Sequence, residues 1–181
     1  MLLKKGQLKI RQIEDKESDY RQIAKWLTDK RVLEFYGGRT NPQYLSKVKR
    51  KYSPRVLGKN KIVPCFFSYN NKEIGYIQYY PVIKAKDYEL DDTNGIWAVD
   101  MYIGEVEYWN KGIGPQVLKM ITDHIFKKLQ GKKVVTDPHV DNPRAIRAYE
   151  KAGFKKIKIL KNHEQHEGKK VDSWLMESSL Y

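Results

Sequence analysis

The sequence predicts an α/β (α+β) fold: one domain over residues 1–181, with a central mixed, mostly antiparallel sheet flanked by helices. Three observations predict it. Segments of strand and helix periodicity follow one another as strand, two helices, three strands, helix, strand, helix and two strands. The long helical segment falls between two strands, as a crossover joining parallel neighbours does, and the strands before it read as an antiparallel meander. A chain of 181 residues with 40% hydrophobic content fits one domain with a substantial core.

Leu8 to Ile13 alternates and reads as the first strand. Tyr20 to Thr28 reads as a helix, with Tyr20, Ile23, Ala24 and Leu27 on one side and Ser18 or Asp19 as its cap. An aromatic segment broken by Gly37 and Gly38 follows, and Asn41-Pro42 opens a second, basic helix ending near Tyr52. Ser53-Pro54 to Asn60 reads as a loop. Ile62–Tyr69 and Ile74–Val82 form a hairpin over Asn70-Asn71, and Gly95–Gly104 is the next strand. Lys133–Asp137, Phe154–Leu160 and Val171–Ser178 complete the strands.

Trp109-Asn110-Lys111-Gly112-Ile113-Gly114 is the most informative stretch. Its glycines permit a tight turn, and the apolar positions Val117, Leu118, Ile121, Ile125 and Leu129 continue it as a helix. The first N–H groups of such a helix lack intrahelical partners and the dipole adds positive potential, so the turn reads as an anion cradle or as a plain tight connection. Farther on, Asp141 or Asn142 caps a helix that starts at Pro143 and stops at Gly153. Asn142 and Tyr149 lie near one face of it.

Composition bounds the function classes. One cysteine excludes an intramolecular disulfide framework, and Cys65, among Pro64, Phe66 and Phe67, reads as a core thiol rather than a nucleophile. No apolar run approaches the roughly 20 residues of a membrane span and the N-terminus has no signal-peptide pattern, so a cytoplasmic location is expected. The net charge of +13 is unevenly placed. Ser46 to Ile62 is basic with no acid, whereas Asp87 to Asn110 holds seven acids and no Lys or Arg. That acidic island reads as a site for a cationic ligand or as a solvated face balancing its neighbours. His163-Glu164-Gln165-His166 is one residue short of a His-Glu-x-x-His zinc motif, so solvated turn residues and no metal are expected.

The two glycine-containing segments together resemble the GNAT superfamily of acetyl-CoA-dependent N-acetyltransferases. The pyrophosphate loop of that family matches Lys111, Gly112, Ile113 and Gly114, and its later helix matches Asn142, Ala145, Tyr149, Gly153 and Phe154. Trp109 stands where the family has Gln or Arg. Lys25 to Arg39, Tyr108 to Gly114, Asp137-Pro138-His139 and His163 to Lys170 are similar to aminoglycoside 6′-N-acetyltransferases, in particular the acetyltransferase half of bifunctional acetyltransferase–phosphotransferase resistance enzymes. The resemblance implies direct transfer of acetyl from acetyl-CoA to the 6′-amine of a polycationic aminoglycoside, without an acyl-enzyme. It assigns Asp100 to the acceptor amine and Tyr149 to the leaving thiolate. With a free carboxyl pKa of about 3.9, Asp100 is better suited to orienting the cation and relaying its proton than to strong-base catalysis. Full transfer from a phenol of pKa about 10 to a thiolate of about 8.5 is uphill by about 2 kcal/mol, which favours a hydrogen bond from Tyr149.

Asn142 is assigned to the CoA arm or to capping alone, and Asp137 to substrate or to a strand-end turn. Trp26 and Tyr36 are assigned to the acceptor wall or the core, and Asp91 and Asp92 to a local negative pocket. Two other functions fit the residues: acetylation of another amine, such as hydroxylysine in siderophore synthesis or a protein N-terminus, and nucleic-acid binding through Ser46–Ile62. No reading fixes the oligomeric state.

Overall fold

The computed structural model describes residues 2–180. The chain forms two compact units. The first comprises the chain up to Gln78 together with Asp100–Trp109, and the second comprises Tyr79–Val99 and the chain from Asn110 onward.

In the first unit, β1 (Leu3–Lys5) and β2 (Leu8–Gln12) pair antiparallel, and β2 pairs in turn with β3 (Val63–Tyr69). Three helices lie between β2 and β3 in the chain: α1 (Glu17–Trp26), α2 (Lys30–Leu33) and α3 (Leu45–Val56). β4 (Lys72–Pro81) and β5 (Ile96–Ile103) contribute residues to both units. The core collects Tyr20, Ile23 and Trp26 from α1 and Leu27 at its C-terminal cap, Val48 and Tyr52 from α3, and Phe66, Tyr76 and Tyr102 from the strands. The apolar face predicted for the first helix is therefore the buried one.

Several boundaries differ from the sequence reading, each for a local reason. β1 is an additional short strand, turned into β2 at Gly6-Gln7. The first helix begins at Glu17, so neither Ser18 nor Asp19 caps it. Asp19, 3% exposed, instead receives a two-pronged bond from Arg11 at 2.7 and 2.9 Å and the Glu14 N–H at 3.0 Å. Burial works against its charge, and these donors outweigh that to hold its carboxyl below the usual range. The short helix α2 falls in the aromatic segment, and the helix expected from Asn41 is α3, which starts at Leu45 and runs through Ser53-Pro54 to Val56. Pro54 sits in its last turn, where one missing N–H does not stop the helix from closing with Leu57 N–H on Ser53 O at 2.9 Å.

The second unit holds α4 (Ile113–Lys128), β6 (Lys133–Thr136), α5 (Pro143–Lys151), β7 (Lys155–His166) and β8 (Lys169–Ser179). α4 packs against α5 and β6. Val82, Tyr88, Ile96, Ala98, Val135, Leu160 and Leu175 form a core cluster here. The strand expected to end at Leu160 continues to His166 and turns at Glu167-Gly168, with register shifts against β8 between Lys156 and Lys158 and between Leu160 and Glu164. His163 and His166 are thus strand residues, not turn residues.

The strand order is β1-β2-β3-β4-β5-β6-β8-β7. β5 and β6, joined through α4, run parallel, while β1–β2, β2–β3, β6–β8 and β7–β8 are antiparallel. The mixed sheet of the sequence reading is what the chain forms. No helix among the described residues is long and apolar enough to cross a membrane.

Trp26 fixes the first unit. Its ring fills the space beside Gly104, where a Cβ would meet ring atoms at 2.2 to 2.4 Å. Gly104→Ala should therefore lower stability by about 1–3 kcal/mol, read as a lower urea midpoint with an unchanged slope. An unchanged midpoint would show that the ring relaxes without loss.

Candidate active site

The turn ahead of α4 is built to present amides. Gly112 is the helix N-cap at φ 70°, a left-handed conformation that side chains rarely adopt, and no side chain caps the helix there. A Cβ at Gly112 would meet nothing within 4 Å, so the glycine answers to backbone geometry and leaves the approach to the turn open. The first turn of α4 carries no acid, and Lys127 and Lys128 occupy its last turn. Pro115 has no N–H; the amides at Gly112, Ile113 and Gly114 are those a helix start leaves without intrahelical partners. Ile113 is buried, so its contribution is backbone rather than side chain, whereas Lys111 is exposed. This donor set suits a phosphate group.

α5 begins as the sequence predicts. Asn142 Oδ1 accepts the Ala145 N–H at 3.1 Å, Pro143 opens the helix, and Gly153, at φ 97°, follows its end. Asn142 is thus a cap through Oδ1. Tyr149 is buried on the same helix, its ring 5.4 Å from that of Phe154 in an edge contact.

The acceptor-side candidates are distributed over both units. Asp100, half-buried on β5, accepts from Gln78 Nε2 at 2.6 Å. Tyr36 lies half-buried against Tyr102, ring centres 4.5 Å apart, and Tyr102 stacks on Tyr76 at 5.3 Å. Burial raises the phenols of Tyr76 and Tyr102 well above their ordinary value, so both stay neutral at physiological pH. Trp26 does not line a wall. It is 1% exposed, and its Nε1 donates to Glu105 Oε1 at 2.8 Å, because an indole of this size is the filler of the α1 core.

In the second unit, Asp91 and Asp92 are exposed, and Asp92 Oδ1 accepts the Asn94 N–H at 2.7 Å, as in an Asx turn. Asp137 binds His163 Nε2 through Oδ2 at 2.8 Å. His139, buried, pairs with Glu164 Oε2 at 2.9 Å and packs edge-on to His166, ring centres 4.6 Å apart. Solvation does not describe these histidines: they tie β7 to the segment after β6. Among the described residues no group of three His, Cys, Asp or Glu side chains forms a metal site. Cys65 is fully buried and its thiol is pushed up to about 12 by burial, as a core thiol should be.

The acidic island is taken apart by lysines from elsewhere. Glu105 binds Lys25, Glu107 binds Lys72 at 2.8 Å and Glu89 binds Lys158 at 3.1 Å. The balancing reading holds for these three. The basic stretch is likewise partly engaged, with Lys49 on Glu17 at 2.8 Å and Arg55 on Gln78 at 2.6 Å. Gln78 and Arg55 escaped the sequence reading. The available signal was a lone amide among the apolar and aromatic residues of Ile74–Tyr80, on the same strand face as Tyr76.

Comparison with known proteins identifies the class. Residues 15–161 match the acetyltransferase (GNAT) domain, and the chain belongs to the GNAT acetyltransferase family. Among its relatives is the aminoglycoside N(6′)-acetyltransferase type 1 of Klebsiella pneumoniae, 30% identical over 142 residues that span 77% of this chain and 71% of that protein. The crystal structure of aminoglycoside acetyltransferase AAC(6′)-Ib with coenzyme A superposes with a TM-score of 0.80 at 25% identity, covering 96% of this chain and 95% of that one. The same enzyme with ribostamycin and coenzyme A gives 0.80 at 26% identity, over 96% and 93%. The Vibrio cholerae spermidine N-acetyltransferase with CoA and spermine shares the fold, at a TM-score of 0.78 and 19% identity over 97% and 96%.

The histidine pairs carry a pH signature. Hydrogen bonds donated to the Glu164 and Asp137 carboxylates raise the pKa values of His139 and His163, against burial, which lowers them. A raised histidine contributes stability that is full below its unfolded value of about 6.5 and is lost as pH climbs through the folded value. Glu164, lowered by His139, contributes above about pH 4.3 and loses this only on acidification. The urea midpoint should thus fall from pH 6 to pH 8.5, and fall less in an Asp137→Asn, Glu164→Gln double variant. Parallel declines would remove the assignment to these pairs.

Proposed function

We propose that the chain transfers the acetyl group of acetyl-CoA to the 6′-amine of aminoglycoside antibiotics by direct attack. The observation that carries the acceptor is the 30% identity over 142 residues to an aminoglycoside N(6′)-acetyltransferase. The open, uncapped turn at Gly112 supports the donor.

In this reading, the backbone amides of Gly112, Ile113 and Gly114 hold the CoA pyrophosphate, and Lys111 adds positive charge at the turn. Trp109 does not substitute for the Gln or Arg of related loops, because its Nε1 donates to Ile103 O at 2.8 Å. Asn142 reaches the CoA arm through Nδ2, its Oδ1 being held by Ala145. The thioester supplies an activated acyl carbon. Asp100 orients the acceptor ammonium and passes its proton to solvent. The freed amine forms the C–N bond as the C–S bond breaks, the nitrogen gives up its second proton to solvent, and the Tyr149 hydroxyl stabilises the departing thiolate by hydrogen bonding. Asp91, Asp92 and Asp137 attract the remaining ammonium groups, Asp137 while also holding His163. The same reading places the reaction in the cytoplasm, with which a single buried thiol is compatible.

The test is CoA-thiol release with kanamycin, ribostamycin and spermidine as acceptors. Aminoglycosides should be acetylated at the 6′-amine with kcat/KM well above that for spermidine, and Asp100→Asn should lower kcat/KM at least about tenfold. Preference for spermidine, or wild-type kcat/KM in Asp100→Asn, would overturn the acceptor assignment. For the donor, Gly112→Val should weaken acetyl-CoA binding by about tenfold or more in calorimetry, because a β-branched residue at φ 70° strains the turn that presents the amides, while circular dichroism reports whether the rest of the fold is kept. Unchanged affinity in the folded variant would remove the phosphate assignment.

A further inference from the structure

Gln78 is buried on β4, and both ends of its amide are in use. Nε2 donates to Asp100 Oδ2 at 2.6 Å. Oε1 accepts from Arg55 Nη1 at 2.6 Å and from the Tyr76 hydroxyl at 2.7 Å. One amide orientation satisfies all three partners. The flipped one would set N–H against guanidinium and carbonyl against carboxylate. The amide dipole therefore lies in line between a cation and an anion, an arrangement in which each bond polarises the next.

Arg55 is itself fixed. Its guanidinium lies over the Tyr52 ring, 4.9 Å from the centre, and Tyr52 meets Tyr76 edge-on at 5.5 Å. The titratable and charged groups near Asp100 include Tyr52 from α3, Tyr76 from β4 and Tyr36 from the segment after α2, with Arg55 from α3 on the far side of the Gln78 amide. With the phenols neutral, Arg55 is the charge that the amide transmits.

We propose that Gln78 is a positioning residue for Asp100, anchored by Arg55 and Tyr76, which fixes the carboxylate in one rotamer before the acceptor amine arrives. This rests on the reading of Asp100 as the acceptor-side carboxylate. Gln78 has no need to touch substrate. Its effect is geometric, through a carboxylate whose aim decides whether the amine lies in line with the thioester.

The experiment measures kcat/KM for kanamycin in Gln78→Met and Gln78→Glu, each with and without Asp100→Asn. Acetyl-CoA affinity by calorimetry is the check on folding. Gln78→Met keeps the bulk and loses the amide, and should lower kcat/KM by about tenfold to a hundredfold. In the Asp100→Asn background it should change kcat/KM by less than about twofold, because the group it positions is gone. Gln78→Glu supplies the discriminating readout. A protonated glutamic acid reproduces the donor and acceptor pattern of the amide, whereas its anion opposes Asp100. Activity of Gln78→Glu relative to wild type should therefore rise as pH falls from 8 to 5, while the ratio for Gln78→Met stays low and flat.

Equal losses from Gln78→Met in both backgrounds, or a pH-independent ratio for Gln78→Glu, would overturn the positioning role. If Gln78→Met does not fold, Arg55→Met removes the anchor from α3 and is held to the same non-additivity. Impaired Asp100→Asn with unimpaired Gln78→Met defeats this proposal alone. Wild-type activity in Asp100→Asn defeats the underlying reading of Asp100.

Discussion

The bond between Trp26 Nε1 and Glu105 is the constraint on which the first unit depends. An indole buried in the α1 core needs one acceptor, and Glu105 supplies it at the point where β5 ends. The carboxylate is buried and would lose its charge there, but Lys25 and the indole N–H outweigh desolvation and keep its pKa low. Gly104 and Glu105 both direct their N–H groups to Ile74 O, at 2.8 and 3.1 Å, which fastens the end of β5 to β4. The relation of Gln78 on β4 to Asp100 on β5 follows from that register. The Trp26 indole and the Asp100 carboxylate are thus linked through the backbone.

Charge is used locally in this molecule. A net charge of +13 is at odds with a polycationic acceptor only if the charges act at long range, and screening at about 8 Å in physiological salt prevents that. What matters is the local partner of each carboxylate. Glu89, Glu105 and Glu107 are paired, and Asp19 is committed to Arg11. Asp100 accepts from a neutral amide, that of Gln78, at 2.6 Å.

What the sequence made legible was local chemistry. The α5 cap, its proline start and glycine stop depend on neighbours within a few residues, and the structure reproduces them. The α4 turn and its helix are of the same kind. What it hid was settled by distant partners. Asp19 has the composition of a cap, yet Arg11 takes it. Trp26 has the composition of a binding wall, yet the space beside Gly104 takes it. His163 and His166 look solvated because β7, at the end of the strand order, is a polar strand, yet His163 pairs with Asp137 and His166 packs on His139, both from the segment after β6. Gln78 carries no motif. It acquires a role only when β4, β5 and α3 bring three partners to one amide.

The buried Cys65 thiol has a practical consequence. This one thiol is fully covered, and burial pushes its pKa up to about 12, so at neutral pH it is neither accessible nor a thiolate. A chromogenic thiol reagent added to a turnover mixture therefore registers the CoA thiol alone, with no contribution from native protein. The same reagent, in the absence of substrate, becomes a clock for opening of the β3 core: labelling requires the strand to leave its neighbours, so its rate follows the population of open molecules. The chain carries within its core a probe that reports unfolding without any added label.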